Sequence, residues 1–372
     1  MMQNSDITII GGGVMGLLTA REFLHAGATV TLLEKNECGH ESSWAGGGIL
    51  LPLYPWRQAD AISDLVIESL KTYPTLAAQL HSGTGIDPEW TQSGLLITHN
   101  SPEETILAHQ WGEKHHIRMQ KPEDDCFSGL NVEPQAPILL PDIAQIRNPR
   151  LLEALKHDVL AKGLHLIEHC EITHFTLEQQ KLHDIHTNHG RFPLHQVVLT
   201  AGAWTRSIFQ QYLIGVLDAP EIYPAKGQML LFDAPANTLK NIVLHGDHYL
   251  IPRRDGKILA GSTVEYDVFH KEVTVEAHEE IFNFATNLLP SLKDAPMIKH
   301  WAGLRPATED GVPYIGFHPE ITNLSINAGH FRNGLTMAPA SAQLLADIVL
   351  NRPTVIDPQA YQFFKHLPKN AL

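Results

Sequence analysis

Residues 5–36, SDITIIGGGVMGLLTAREFLHAGATVTLLEKN, contain the most specific pattern in this sequence. The apolar run ITII is typical of a buried parallel strand. It leads into Gly11, Gly13 and Gly16, which have the spacing G-x-G-x-x-G, and then into a helix-like stretch that closes at Gly27. The run TVTLLE predicts a second strand. The sequence therefore predicts a strand–helix–strand unit with a glycine-rich turn at its first junction.

The glycine-rich turn has the residues needed to bind the pyrophosphate of a dinucleotide. Gly11 allows a tight turn, Gly13 lets the backbone approach the phosphates, and Gly16 lets the helix pack closely on the strand. Val14 and Met15 begin the helix, where the positive end of its dipole attracts the phosphate charge. A bare glycine pattern would also fit a turn in an unrelated α/β protein. The flanking strands and helix favour the dinucleotide.

The second strand ends in an acidic residue at the position expected for ribose binding. Glu34 lies 18 residues beyond Gly16, where it is placed to accept hydrogen bonds from ribose hydroxyls, and Lys35 follows it. A carboxylate at this position would disfavour a 2′-phosphate. The motif alone leaves FAD and NAD both open.

A second glycine-rich stretch, ESSWAGGGILLPLYPW, begins at residue 41. The serines Ser42 and Ser43 and the consecutive glycines Gly46, Gly47 and Gly48 are poor formers of regular structure. They suit a backbone that passes very close to a flat ligand. A flexible surface loop is the alternative, but the apolar and aromatic flanks are unusual for a mobile loop. We interpret the stretch as a buried turn against a cofactor ring.

The overall composition bounds the class of protein. The chain has 372 residues, which predicts two domains, and 27 Lys and Arg against 41 Asp and Glu. This acidic balance argues against binding to nucleic acid or to an anionic membrane. No stretch approaches about 20 uninterrupted apolar residues, so no membrane span is expected.

The cysteines and histidines give no metal or redox motif. Cys38, Cys126 and Cys170 are widely spaced, which predicts free thiols in a reducing compartment, here the cytoplasm. The N-terminus has no basic segment followed by a long apolar stretch, and no signal peptide is expected. The histidines, 23 in all, are interpreted as solvated side chains rather than as a zinc site, with His330 as the exception by its location.

Several further elements are predicted from periodicity and caps. Residues 59–82 favour a helix that Pro74 breaks or kinks. Ser101 is expected to cap a helix, residues 120–142 are expected to form a loop, and Asn148 is a candidate cap for the helix that follows it. The stretch after residue 220 predicts antiparallel hairpins, one of which turns at RRDGK, and an amphipathic helix in VTVEAHEEIFNFATNLLP.

Six segments together resemble the D-amino-acid-oxidase-like FAD amine oxidases, and among them the bacterial glycine oxidase branch that serves thiamine biosynthesis. In chain order these segments are GGGVMG, ESSWAGGGILLPLYPW, LTAGAW, YLIPRRDGKILAGST, GLRPATEDGVPYIG and GHFRNGLTMAPA. The resemblance implies an α/β fold in which a Rossmann-type FAD-binding domain is joined to a β-sheet-rich substrate (cap) domain. It implies FAD that is bound non-covalently, since no cysteine follows Cys170. The expected FAD-binding domain is discontinuous, over residues 1–85, 145–210 and 310–372, with the cap domain over 86–144 and 211–309.

The resemblance also assigns site residues. Arg305 matches the carboxylate-binding arginine of the family, and Arg332 and Tyr249 match further substrate contacts. A structural salt bridge is the alternative for each arginine, and a place in the cap sheet is the alternative for the tyrosine. Further cofactor contacts are implied at Ile172, Ala201, Gly202, His330, Phe331, Arg332, Asn333, Gly334, Leu335 and Thr336. The helix that starts just after Arg332 would stabilise negative charge on the reduced flavin.

The implied reaction is FAD-dependent oxidative deamination of glycine, or of small amines such as sarcosine or D-alanine. Its products would be the imine or 2-oxo acid, ammonia and, with molecular oxygen as acceptor, hydrogen peroxide. The imine would supply thiazole synthesis in thiamine biosynthesis, and a homotetramer is the implied assembly. Two alternatives remain, a D-amino acid dehydrogenase that passes electrons to a quinone and an FAD-dependent RNA-modifying oxidoreductase. A non-catalytic flavin-binding module would leave the paired arginines without a purpose.

Overall fold

The computed structural model describes residues 5–216 and 219–363. Its helices are α1 Val14–His25, α2 Ser42–Ala45, α3 Asp60–Thr84, α4 Pro102–His115, α5 Asn148–Ala161, α6 Thr205–Tyr212, α7 Val275–Leu288 and α8 Gly334–Val349. Its strands are β1 Ile7–Ile10, β2 Val30–Leu33, β3 Leu95–Ile97, β4 Ile138–Leu140, β5 His165–Ile167, β6 Ile172–Glu178, β7 Lys181–Thr187, β8 Gly190–Pro193, β9 Gln196–Leu199, β10 Tyr223–Phe232, β11 Ile242–His245, β12 His248–Pro252, β13 Ile258–Gly261, β14 Glu265–Tyr266, β15 Met297–Ala307, β16 Tyr314–Phe317 and β17 Leu324–Ala328.

A six-stranded sheet carries the glycine-rich turn. Its order is β16-β17-β9-β1-β2-β5, and every neighbouring pair is parallel except β16 with β17. The unit β1–α1–β2 is the strand–helix–strand predicted from the sequence. Because the carboxyl ends of β1, β2, β9 and β17 meet at one edge, the loops that follow these strands converge there.

Alternate residues of this sheet enter two different cores. Ile9 and Leu32 pack with α1, α3, α5 and α8 on one face, whereas Ile10 and Leu33 face the opposite side. That second face is covered by the antiparallel sheet β6-β7-β8, which contributes Phe175 among others. Burial on both faces explains why the strands read as continuous apolar runs rather than as alternating ones.

An eight-stranded sheet covers the carboxyl edge of the first. Its order is β14-β10-β13-β12-β11-β3-β4, and β15 pairs with β10 along its whole length. The strands come from residues 95–140 and 223–307. One face packs against α7 through residues such as Leu230 and Ile258, and the other carries Met229 and Ile251 into the helical core. The domain boundaries given above remain a proposal.

Three local predictions are wrong. The predicted break at Pro74 is absent: helix α3 continues through it as one element, with Pro74 on its exposed face and Tyr73 and Leu76 in the core, while a kink at Pro74 stays a prediction. The expected loop over 120–142 contains β4, whose three residues pair with β3. Asn148 is the first residue of α5 rather than its cap, and its side-chain amide donates to the Ser43 carbonyl instead.

Other local predictions are confirmed. Ser101 caps α4 by accepting from the Glu104 backbone N–H. The RRDGK turn joins the antiparallel strands β12 and β13, and the amphipathic segment forms α7. Across the described residues, no helix combines the length and apolarity that a membrane span requires.

Candidate active site

A cavity of ≈ 370 Å³ lies between the carboxyl edge of the six-stranded sheet and the eight-stranded sheet. Nearly all of the predicted site residues lie on its wall. These are Gly11, Gly13, Val14, Met15, Glu34, Lys35, Ser42, Ser43, Gly46, Gly47, Gly48, Ile172, Ala201, Gly202, Tyr249, Arg305, His330, Phe331, Arg332, Asn333, Gly334, Leu335 and Thr336. Gly16 is off the wall and packs behind it, where a Cβ would lie 1.9 Å from the Gly11 carbonyl oxygen.

One end of the cavity is formed by the turn between β1 and α1. Gly11 has φ +108°, a backbone conformation that favours glycine. The first bond inside α1 runs from the Leu17 N–H to the Gly13 carbonyl, so the preceding N–H groups point toward the turn. The Val14 N–H donates to Ser43 Oγ at 3.0 Å, which ties this turn to the second glycine-rich stretch.

Glu34 closes the same end. One carboxylate oxygen accepts from the Gly12 N–H at 2.6 Å, and the other accepts from the Asn36 N–H at 2.9 Å. Burial raises the pKa of Glu34, and these two hydrogen bonds offset part of the increase. Each oxygen keeps a lone pair for a further donor, such as a ribose hydroxyl.

The three glycines after α2 bring the backbone against the middle of the cavity. Gly48 has φ +79°, and a Cβ there would lie 2.0 Å from the Ile146 carbonyl oxygen. The N–H groups of Gly46, Gly47, Gly48 and Ile49 have no acceptor within the described ranges, although these residues line the cavity. A row of amides without acceptors along the cavity wall fits the polar edge of an isoalloxazine ring, which has several acceptor atoms.

The last wall is the segment from His330 to the first turn of α8. His330 is 1% exposed, and its Nε2 atom lies 3.1 Å from Ser341 Oγ. The hydroxyl of the buried Tyr73 donates to the Leu335 carbonyl, which fixes the start of α8. The N-terminal amides of this 16-residue helix border the cavity, so its positive end faces any ligand there.

Arg305 projects from β15 toward the cavity without an acidic partner. Its Nη1 donates to the Thr263 carbonyl at 3.2 Å and its Nη2 to Ser262 Oγ at 2.8 Å. Burial lowers the pKa of Arg305, although the side chain keeps some solvent contact through the cavity. The hydroxyl of Tyr249 counters part of that decrease, while Arg332 adds to it. At most three of the five guanidinium N–H donors therefore remain for a ligand.

Arg332 and Tyr249, the other two predicted substrate contacts, differ in their exposure to solvent. Arg332 is exposed and lies over the ring of Phe331, with its Cζ 5.5 Å from the ring centroid. No carboxylate of the described ranges pairs with Arg305 or Arg332, so the salt-bridge alternative finds no partner there. Tyr249 is 8% exposed and contacts Met229.

The place of the Arg305 guanidinium depends on a glycine in the neighbouring strand. A Cβ at Gly227 would lie 2.0 Å from Arg305 Nη1 and 2.2 Å from Nη2. We expect Gly227→Ala to displace the flexible guanidinium while the backbone stays in place, and thus to lower kcat/KM for the amino acid about 100-fold. FAD content and the unfolding midpoint should stay near wild type. Loss of FAD along with activity would contradict this account.

Several wall residues were missed by the sequence-based reasoning. Asn148, Met229 and Ser262 line the cavity, and Leu51 and Leu53 form an apolar part of its wall. The two leucines lie in the quoted stretch after the glycines.

The site contains nothing that suggests a metal ion. Within residues 5–216 and 219–363, no group of three or more His, Cys, Asp and Glu side chains could hold one. The three cysteines are unpaired and buried. The donors on the wall include backbone amides and two guanidinium groups, which suit phosphates, carbonyl oxygens and a carboxylate.

Three features occur together here: the G-x-G-x-x-G turn, the glycines Gly46–Gly48 on the cavity wall and the eight-stranded sheet over the cavity. Together they are typical of one class of flavoprotein. The sequence matches the DAO family, described as FAD dependent oxidoreductase, over residues 6–348. The chain belongs to this family of FAD-dependent oxidoreductases. Its predicted fold class, its FAD cofactor and its predicted class of enzyme, an FAD-dependent amino acid oxidase, are thereby confirmed.

Individual relatives show which members of the family this chain is similar to. The chain is 41% identical to the glycine oxidase of Pseudomonas aeruginosa over 95% of this chain and 97% of the other. It is 28% identical to a bifunctional protein ThiO/ThiG of Synechocystis, covering 95% of this chain and 52% of that one. The crystal structure of glycine oxidase from Geobacillus kaustophilus superposes with a TM-score of 0.91 at 26% identity, over 98% of this chain and all of the other. The predicted resemblance to the glycine oxidases is confirmed.

Proposed function

We propose that this enzyme oxidises glycine to its imine, with hydrolysis to the 2-oxo acid and ammonia and with molecular oxygen as the final electron acceptor. The observation that carries the proposal is the Arg305 guanidinium, which faces the cavity without an acidic partner. The names of the relatives support a glycine-like substrate. The relative named ThiO/ThiG supports a role in thiamine synthesis, with the imine as the product passed on.

The cavity chemistry suits a small amino acid. Two of the free N–H donors of Arg305 can take both oxygens of an α-carboxylate, which fixes the orientation of the substrate. Arg332 adds positive charge at the exposed side. Leu51, Leu53 and Met229 supply apolar wall, which excludes water from the Cα–H bond and limits the size of a substrate side chain.

The remaining residues hold the cofactor and balance its charge. The amides of Gly46–Ile49 would hold the ring system, and the turn at Gly11–Met15 with Glu34 would hold the pyrophosphate and ribose. When bound, FAD supplies the two-electron acceptor. The N-terminus of α8 would stabilise the negative charge that the site gains on reduction.

The first experiment is the visible spectrum of the purified protein. We expect a flavin spectrum that anaerobic glycine bleaches and that recovers in air with formation of hydrogen peroxide. Bleaching without recovery in air would favour the dehydrogenase with a quinone acceptor. A flavin spectrum that neither glycine, sarcosine nor D-alanine bleaches would overturn amino acid oxidation at this site and favour the RNA-modifying alternative.

Arg332 tests the second half of the carboxylate site. Since its side chain is exposed and solvent screens its charge, we expect Arg332→Ala to raise KM for glycine by about fivefold with little change in kcat. Steady-state oxygen consumption would measure both constants. The exposed Arg57, which pairs with Glu104 outside the cavity, offers a control as Arg57→Ala. Unchanged glycine kinetics in the Arg332 variant would remove it from the substrate site.

Assembly and cellular location are two further proposals. A homotetramer is proposed from the glycine oxidase resemblance, and light scattering of the purified protein would measure the mass. A cytoplasmic location is proposed from the three unpaired cysteines, which suit a reducing compartment.

A further inference from the structure

The glycine-rich loop is held by its carbonyl groups at alternate positions. Each of four carbonyls accepts a hydrogen bond from a side chain of a different element. The pairs are Ser43 O with Asn148 Nδ2 at 2.7 Å, Ala45 O with Trp301 Nε1 at 3.0 Å, Gly47 O with Arg253 Nη2 at 2.8 Å and Ile49 O with Thr336 Oγ1 at 3.0 Å. The donors come from α5, β15, the turn after β12 and α8. The loop is therefore fixed from several sides.

Because the peptide group is planar, a side chain that fixes a carbonyl of this loop also fixes the direction of the next N–H group. In a trans peptide the C=O of one residue and the N–H of the next point in opposite directions. A Gly47 carbonyl held by Arg253 outside the cavity therefore directs the Gly48 N–H to the opposite side. The Gly46 and Gly48 amides have no acceptor within the described part of the chain, and both residues line the cavity.

Arg253 is the one charged donor among the four. Its Nη1 donates to Gln145 Oε1 at 2.6 Å and to the Ile146 carbonyl at 3.1 Å. Burial lowers the pKa of Arg253 to about 10, and the nearby Arg147 contributes to the decrease. The adjacent carboxylate of Asp255 pairs with Arg147, at 3.0 Å. In the described ranges Arg253 forms no ion pair of its own, so all of its bonds are to carbonyl oxygens.

We propose that Arg253 is a positioning residue for the flavin. It acts through the Gly47 carbonyl, which it holds so that the Gly48 N–H faces the cofactor, and its positive charge lies directly behind the loop. A cation there would also favour the more negative, reduced state of the cofactor. This inference rests on FAD binding in the cavity and not on glycine as the substrate.

The test compares three variants of the holoprotein. Arg253→Met removes the charge and all three bonds, and Arg253→Lys keeps the charge but cannot hold three carbonyls with a planar fork. Arg254→Met is the matched control, because Arg254 is the next residue of the same turn, is exposed and pairs with Asp87 at 2.7 Å. The readouts are the FAD dissociation rate, the visible flavin spectrum and the midpoint potential.

We expect Arg253→Met to raise the FAD dissociation rate at least tenfold, to shift the visible bands and to lower the midpoint potential. Arg253→Lys should recover most of the potential but only part of the dissociation rate. Arg254→Met should stay within twofold of wild type. If Arg253→Met does not fold, Arg253→Lys alone tests the proposal. In that case we expect FAD to dissociate from Arg253→Lys at least three times faster than from wild type. The proposal would be overturned if the Arg253 variants matched Arg254→Met in FAD dissociation rate, flavin spectrum and midpoint potential. This outcome does not depend on whether glycine reduces the flavin.

Discussion

Replacing Arg305 by alanine is expected to lower kcat/KM for glycine by about 100- to 1,000-fold, since losing one partner of a buried charge pair costs about 3–4 kcal/mol. The guanidinium lies on the cavity wall with at most three unpaired N–H donors, and it is more enclosed than the exposed Lys35 and Arg332 on the same wall. Without it, the substrate carboxylate would be buried against carbonyl oxygens and apolar side chains. Stopped-flow reduction of the flavin by glycine would measure the loss.

The cofactor should be unaffected by this change, because Arg305 lies on β15 and away from the β1–α1 turn. The flavin spectrum and FAD content of Arg305→Ala are therefore internal controls. Arg305→Lys should be intermediate, since an ammonium retains the charge but not the fork that matches a carboxylate. Near wild-type reduction by glycine in Arg305→Ala would exclude Arg305 as the carboxylate site.

Gly16→Ala is expected to abolish FAD binding and to destabilise the protein by about 1–3 kcal/mol or more, as overpacking does in a tight core. The added Cβ would lie 1.9 Å from the Gly11 carbonyl oxygen and 3.0 Å from Thr200 Oγ1. The Gly11 carbonyl oxygen is a backbone atom, so it cannot rotate away as a side-chain atom could. Helix α1 must move away from β1, and the turn that we propose to hold the pyrophosphate moves with it. FAD content and urea unfolding would measure both effects.

Gly83→Ala is the matched control, since Gly83 is also a helical glycine, in α3. Its Cβ would meet only Asp158 Oδ1, at an ordinary contact distance of 3.9 Å. Replacing a helical glycine by alanine at such a position should stabilise by about 0.5–1 kcal/mol. Retained FAD and unchanged stability in Gly16→Ala would show that the close helix–strand packing is not required.

The sequence-based prediction agrees with the cavity wall where backbone conformation restricts the residue type. The glycines of the first turn and of the second loop are needed because a Cβ would strike backbone at Gly16 and Gly48. Such a requirement appears directly in the sequence as glycine. The roles of individual wall residues remain proposals, because they depend on how the ligands lie in the cavity.

Features that depend on tertiary contacts could not be predicted in the same way. Strand β4 has three residues and exists through its pairing with β3, so no local pattern marks it. Asn148 has the composition of a cap, but its amide reaches the Ser43 carbonyl, over 100 residues away in sequence. Arg253 carried a weak signal, since Tyr249, Ile251 and Arg253 share one face by strand alternation whereas Arg254 does not.

The arrangement of the six-stranded sheet also sets when during biosynthesis the cofactor can be held. The cavity wall begins at the Gly11 turn and is completed by Thr336, 325 residues later. Strand β17 must insert beside β9 before α8 can border the cavity. At about 5–20 residues per second, a ribosome needs about 16–65 s to cover that interval. We therefore expect FAD capture to be a late event, and a chain released before α8 would leave α1 and α3 without the helix that packs against them.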